Sequence, residues 1–238
     1  MPVTTAEPFD PSPRVILLDL DDTLCDYSAA RERRLRIALA DASGLPENAP
    51  ELGVLVGASI AMQPHGAEHF RDLLVQHGYA GNNRVDAAMA WYRANRFHGL
   101  ELFPGALGVL ERLRRGPGAI ANRPLGIITN GPADVQRDKV ALLQIRRLVD
   151  FVIISGEFGA SKPDPAIYAE ALRKAGATAD DTVFVGDSPE HDIAGAHASG
   201  MRSVWINRHG SPWTGSGRAP DRQIQHIGDL PRLVGSGE

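Results

Sequence analysis

Three carboxylates fall within four positions, Asp19, Asp21 and Asp22, directly behind the apolar run Val15-Ile16-Leu17-Leu18. Two carboxylates about 4 Å apart repel by roughly 4 kcal/mol at an effective dielectric near 20. A triplet of this kind calls for a bound cation, a neighbouring Lys or Arg, or one acid held protonated. All three remedies belong to active sites more often than to scaffolds. Further polar clusters stand at Thr129-Asn130-Gly131, at Ser161-Lys162-Pro163-Asp164 and at Gly186-Asp187-Ser188-Pro189-Glu190-His191-Asp192.

The elements that position these groups are legible from the same chain. A fully apolar run such as Val15–Leu18 reads as a strand buried on both faces, as in a parallel sheet. Four more strand-like runs follow at Leu125–Thr129, Phe151–Ser155, Thr182–Gly186 and Ser203–Asn207. Helical patterns over Pro132–Arg147, Pro163–Ala175 and Pro189–Ser199 separate them, each with Pro near its first turn, where the missing N–H costs nothing. Strands alternating with helices predict an α/β fold, a doubly wound, Rossmann-like parallel sheet. In such a sheet the carboxyl ends of the strands share one edge, so all four polar clusters converge in one crevice.

One connection is far longer than a crossover needs. After the first strand the segment 26–103 shows no strand pattern and reads as helices near Ala29–Ala42, Glu47–Ile60, Ala67–His77 and Val85–His98; Leu107–Arg115 belongs with the sheet. The expected organisation is a catalytic core of residues 14–25 and 104–238, an inserted α-helical cap of residues 26–103, and a loose N-terminal tail over residues 1–13. After Asn207 the chain is rich in Gly, Pro and Ser to about Pro220 and closes with the apolar segment Ile227–Val234.

The motifs, in order and each behind its own strand, resemble the haloacid dehalogenase superfamily. Ile128-Thr129-Asn130-Gly131, Ser161-Lys162-Pro163-Asp164 and Val185–Gly200 resemble most closely the branch with an α-helical cap, and within it the pyrimidine 5′-nucleotidases and N-acylneuraminate-9-phosphatases. The resemblance implies a role for each residue, and the chemistry of each group suits it. Asp19 is the implied nucleophile, forming an aspartyl phosphate. Asp21 is the implied acid for the leaving alcohol and base for the attacking water. Asp19, the backbone carbonyl of Asp21 and the carboxylate of Asp187 are the implied ligands of Mg²⁺, a hard cation that takes oxygen donors. Thr129 and the N–H groups of Asn130 and Gly131 would cradle phosphoryl oxygens, and Lys162 would neutralise the charge on nucleophile and phosphoryl group. Asp192 would orient the metal's waters or Lys162.

Taken singly, these residues have plainer readings. Thr129 suits a strand, Lys162 a solvated turn, and Asp192 a helix N-terminus. Asp22 stands where the wider superfamily usually has Gly, and it reads as a residue that hydrogen-bonds its own turn. The four clusters on one sheet edge outweigh these separate explanations. Asp21 also separates reaction types, because an alkoxide leaving group needs an acid and a halide does not. The expected activity is therefore Mg²⁺-dependent hydrolysis of a small phosphorylated metabolite, a nucleoside monophosphate or a sugar phosphate. A phosphomutase, a metal-independent 2-haloacid dehalogenase and a ligand-binding regulatory member of the fold are the alternatives. Specificity is expected in the cap, with Met62, Gln63, His65, His69, Trp91, Arg93, Arg96 and His98 as candidates beside a core reading for Trp91, Tyr92 and Phe97. Asn207-Arg208-His209-Gly210 reads as a strand-exit turn near the same edge.

The bulk properties limit the partners. Across 238 residues the apolar share is 43%, the charged share 23% and the net charge −4, so neither nucleic acid nor a membrane surface is expected as a partner. The first thirteen residues lack the hydrophobic block of a signal peptide. The one cysteine, Cys25, fits a reducing cytoplasm and reads as a small semi-buried turn residue.

Overall fold

The structure, a computed structural model, describes residues 7–62, 66–79, 84–114 and 123–235. The chain forms two compact units, one of residues 1–25 and 102–238 and the other of Asp26–Glu101. In the first unit six parallel strands lie in the order β3-β2-β1-β4-β5-β6: β1 Val15–Leu18, β2 Leu125–Thr129, β3 Phe151–Ile154, β4 Thr182–Gly186, β5 Arg202–Ile206 and β6 Arg222–Ile224. The strand order reverses between β1 and β4, the point at which crevices open in sheets of this kind. Asp19 and Asp187 follow those two strands.

The residues of β1 are buried alike, Val15 at 2% exposure and Ile16, Leu17 and Leu18 at 0%. Covered faces on both sides explain why this strand shows no apolar–polar alternation. Beneath one face, Val15, Leu17, Phe151 and Phe184 pack with Ile167, Tyr168, Ala171 and Ala196. The core helices are α5 Ala106–Leu113, α6 Ala133–Leu142, α7 Ser155–Phe158, α8 Pro165–Ala175, α9 Ala194–Ala198 and α10 Leu230–Leu233. The second unit carries α1 Tyr27–Ser43, α2 Pro50–Ala61, α3 Phe70–Gln76 and α4 Val85–Ala94 around a core of its own, including Leu35, Leu39, Leu52, Leu55, Phe70, Leu73 and Tyr92. Asp26 caps α1 by accepting from the Ala29 N–H at 3.2 Å. No helix among the described residues is long and apolar enough to cross a membrane.

Several boundaries differ from those expected. The pattern over Pro132–Arg147 resolves into α6 and a separate 3₁₀ turn at Ile145–Leu148, broken at Gln144, which takes a positive φ of 55°. The helix expected over Pro189–Ser199 begins as a wide turn in which the Ile193 N–H reaches back to the Ser188 carbonyl, and only then becomes α9. The sixth strand was not expected, being only three residues long with two of them half-buried. The 26–103 boundary falls at Asp26–Glu101, and the end of the helix expected to reach Arg115 lies outside the described residues.

The N-terminal tail needs a larger correction. Residues 1–6 are outside the described residues, but Phe9 is only 6% exposed and donates its N–H to the Leu233 carbonyl at 2.8 Å. The guanidinium carbons of Arg202 and Arg222 lie 5.0 and 4.9 Å from the centre of its ring. One aromatic ring gives the segment enough apolar surface to dock, which its prolines and acids had concealed. Phe9→Ala should therefore destabilise the protein by about 3–5 kcal/mol in denaturant unfolding; a loss below about 0.5 kcal/mol would mean that the segment contributes nothing.

Candidate active site

Asp19 leaves the sheet with its N–H donated to the Val185 carbonyl at 2.9 Å, so β4 sets its position directly. Its side chain is buried, and Oδ1 lies 2.5 Å from Lys162 Nζ. The same ammonium sits 2.7 Å from Asp192 Oδ1 and 5.4 Å from the centre of the Phe184 ring. Lys162 comes from the loop between α7 and α8, and Asn130 holds that loop in register. The Asn130 side-chain amide donates to the Lys162 carbonyl at 3.0 Å, while Asn130 Oδ1 accepts the Lys162 N–H at 2.9 Å.

Asp192 is aimed by the wide turn after β4, where its Oδ2 accepts the Ser188 N–H at 3.0 Å. Gly186 makes room for it. A Cβ there would stand 2.2 Å from Asp192 Oδ2, so the strand end must be glycine for the carboxylate to reach Lys162. The Asp187 carbonyl accepts from Trp205 Nε1 at 2.8 Å, and its carboxylate has Thr23 Oγ1 at 3.4 Å. Asp19, Asp21, Thr129, Asn130, Lys162 and Asp187 all line one open crevice.

Gly131 is the exception. Its N–H donates to Ser155 Oγ at 2.9 Å, and its carbonyl accepts from the Gly156 N–H at 3.1 Å. Both backbone groups tie the end of β2 to the turn after β3, and α6 begins only at Ala133. The expected phosphate contact from the Gly131 N–H is therefore not available in this structure; the sequence did not show that Ser155 competes for it.

Asp22 has a positive φ of 56°, with its N–H on the Cys25 carbonyl at 2.8 Å. The turn thus holds Asp22 in the left-handed conformation that glycine adopts without strain. Arg208 braces the same loop, donating to the Thr23 carbonyl at 2.9 Å while its guanidinium carbon lies 3.3 Å from the centre of the Phe103 ring. Asn207 closes the strand-exit turn on Ser211. Cys25 is fully buried, and burial, then the Asp21 charge, drives its thiol far above the ordinary range, so it is no nucleophile.

Two residues at this site escaped the sequence reading. Lys139 and Gln136, three apart on α6 and so on one face, both reach Asp21. Lys139 Nζ is 2.6 and 2.7 Å from the two carboxylate oxygens, and Gln136 Nε2 is 3.0 Å from Oδ2. The sequence of α6, ADVQRDKVAL, is polar along most of its length, so nothing set these two residues apart.

The charges do not balance. Burial, with Asp192 and Asp21 nearby, outweighs the attraction of Lys162 and pushes Asp19 up to about 7. Burial, then Asp19, Asp192 and Asp22, pushes Asp187 up to about 8. Burial pulls the Lys162 ammonium down, but Asp19 and Asp192 more than compensate and hold it above the ordinary lysine value. Oxygens of Asp19, Asp187 and Asp192 lie within 4.8 Å of one another. With Asp192 engaged on both oxygens, Asp19 and Asp187 offer the lone pairs that face the crevice. An excess of buried carboxylate oxygens, with no nitrogen or sulfur donor among them, fits Mg²⁺.

Most of the described candidates in the helical unit have partners within that unit. His69 bonds Ser59 at 2.7 Å, Arg93 pairs with Glu68 at 3.0 Å, and Arg96 lies over the Phe97 ring. Trp91 stacks edge-on with His98, and Met62 is half exposed. Gln63 and His65 lie outside the described residues.

The raised carboxyls make a stability prediction. Asp187 has an ordinary value of 3.8 unfolded and about 8 folded, so its contribution is full below about pH 4 and is lost as pH rises through 8. Asp187→Asn removes that loss. In chelator the variant should melt above the native chain at pH values over about 8, by roughly 2–4 °C for each kcal/mol relieved, with the gap closing toward pH 5. Scanning calorimetry that finds equal melting temperatures across this range would contradict the charge imbalance.

Comparison with known proteins agrees with the geometry. The chain spans 94% of N-acylneuraminate-9-phosphatase from Rattus norvegicus at 25% identity over 239 residues, itself covered to 94%. Glyceraldehyde 3-phosphate phosphatase from Methanopyrus kandleri is 31% identical over 224 residues, 92% of this chain and 91% of that protein. Phosphoserine phosphatase from Thermus thermophilus is 35% identical over 139 residues, which span 58% of this chain and 53% of that enzyme. Among solved structures, the putative HAD-hydrolase YfnB from Bacillus subtilis superposes with a TM-score of 0.73 over 94% of this chain and 99% of that one, at 22% identity. The family description "haloacid dehalogenase-like hydrolase" matches residues 13–200, and the chain belongs to that family.

Proposed function

We propose that the protein is a Mg²⁺-dependent phosphomonoesterase that hydrolyses a small phosphorylated metabolite through a phosphorylated Asp19. The observation that carries this reading is the division of labour between Asp19 and Asp21. Asp19 is paired with a buried ammonium and faces the crevice, while Asp21 stands two residues on with partners of its own. An attacking carboxylate and a separate proton carrier are what an alkyl phosphate requires.

In the proposed reaction Asp19 Oδ attacks phosphorus while Asp21 gives its proton to the departing ester oxygen. The P–O bond breaks, the alcohol leaves, and Asp19 carries an acyl phosphate. Asp21, now ionised, takes a proton from the water that attacks phosphorus, and phosphate departs with Asp19 restored. Lys162 stays charged throughout and offsets the negative charge gathering on the phosphoryl oxygens. Thr129 and the Asn130 N–H serve as the oxygen-binding groups of the crevice, and Asn130 also holds Lys162 in place. Asp19, Asp187 and the Asp21 carbonyl are the proposed ligands of Mg²⁺, which when bound supplies positive charge to the phosphoryl group. Asp192 holds Lys162 in line.

A phosphate on a short hydroxylated carbon skeleton, a sugar phosphate or a nucleoside monophosphate, is the proposed substrate class. Relatives named for glyceraldehyde 3-phosphate, phosphoserine and N-acylneuraminate 9-phosphate support it. Phosphate release across a panel of phosphorylated metabolites should be detected with Mg²⁺ and lost with EDTA. Asp19→Asn should abolish turnover, by at least about 10⁴-fold. Full activity in EDTA, or an active Asp19→Asn protein, would overturn the proposal.

A further inference from the structure

We infer that Lys139, assisted by Gln136, is the positioning residue of the proton-transfer carboxylate Asp21, and that the α6 face carrying both is part of the machinery for poor leaving groups. The inference rests on the phosphatase reading and adds to it two residues that no motif marks.

Lys139 is 1% exposed, and an ammonium so deeply buried is costly unless paired. Its Nζ meets both oxygens of Asp21, at 2.6 and 2.7 Å, which fixes both side-chain torsions of the aspartate. Gln136 is 3% exposed, and its Nε2 divides between Asp21 Oδ2 at 3.0 Å and the Asn130 carbonyl at 2.7 Å. That amide ties Asp21 to the segment that also holds Lys162, so the proton carrier and the nucleophile's charge partner share one bracket. Among the described residues Asp21 is also approached by the weak donor Cys25 Sγ, 3.6 Å from Oδ1.

The pair matters differently in the two protonation states. Ionised Asp21 is held on both oxygens, the state left after the alcohol departs. Once Asp21 has taken a proton from water, that oxygen no longer accepts from Lys139. The other oxygen keeps the ion contact, and the O–H is left to face the ester oxygen of the next substrate. Lys139 takes part only as a hydrogen-bond donor in these steps, so the proton account is closed by water and the alcohol alone. Losing Lys139 leaves Asp21 free to rotate, and a misplacement near 1 Å can cost about 10²-fold in rate.

The penalty must depend on the leaving group. A primary alkyl phosphate needs the proton as its bond breaks, whereas p-nitrophenyl phosphate expels a weakly basic phenolate with little help. The test compares kcat and KM on these two substrates for the native chain, Lys139→Met, Lys139→Arg, Asp21→Asn and the double variant Asp21→Asn/Lys139→Met. Lys139→Met is expected to lower the alkyl-to-aryl ratio of kcat/KM, which reports departure of the alcohol and not the later attack of water, by roughly 10²-fold. Lys139→Arg should recover part of the ratio. Asp21→Asn should lower it further, within the 10²–10⁴-fold expected of an acid–base residue, and the double variant should be no worse than Asp21→Asn.

A merely structural role would slow both substrates alike, and an unchanged ratio in a folded Lys139→Met protein overturns the inference. If Lys139→Met does not fold, Gln136→Leu removes the second donor and must shift the ratio in the same direction, or the inference fails. An unchanged ratio in Asp21→Asn overturns the phosphatase reading of Asp21 itself, and this inference with it. A shift in Asp21→Asn without one in Lys139→Met leaves that reading standing and rejects only the role of Lys139.

Discussion

Lys162 lies between Asp19 and Asp192 with no exposed route for its charge, and the organisation of the crevice follows from that contact. One ammonium against two carboxylates leaves negative charge uncompensated, and Asp187 adds to it. A buried arrangement of this kind gains no stability over an apolar core of the same volume. It is maintained by the residues around it. Asn130 clamps the Lys162 backbone, Ser188 anchors Asp192, and Gly186 leaves the space through which Asp192 reaches the lysine.

The sheet topology makes that contact possible. β1 and β4 are neighbours at the reversal of strand order, so Asp19 and Asp187, 168 positions apart in sequence, leave the sheet side by side. The wide turn after β4 then brings Asp192 back toward its own strand end, which a regular α-helical start would not do. Asp21, by contrast, depends on α6. One carboxylate of the opening pair is organised by the loop before α8, and the other by a helix on the far side of β2.

The sequence made much of this legible because buried parallel strands advertise themselves: Leu125–Thr129 and Thr182–Gly186 match the observed β2 and β4 residue for residue. The convergence of Asp19, Thr129 and Asp187 follows from strand ends alone, and Lys162 joins them from the loop between α7 and α8. What stayed hidden lies in long-range pairings with no local signature. Nothing near Gly131 shows that Ser155 takes its N–H, and nothing around Lys139 shows that its partner is 118 positions away. Phe9 packs because two arginines from β5 and β6 flank it, again a product of the sheet order rather than of the tail's composition. Within the helical unit, positions picked for polarity and aromatic character prove mostly to be paired locally.

The proposed chemistry requires Asp19 to become covalently phosphorylated. Its most direct test is a rapid acid quench of the protein turning over a ³²P-labelled substrate, followed by peptide mapping. An acid-stable, alkali-labile phosphate is expected on Asp19, in the segment Val15–Cys25. Label on a serine, or turnover with no acid-stable label on the protein under single-turnover conditions, would contradict it.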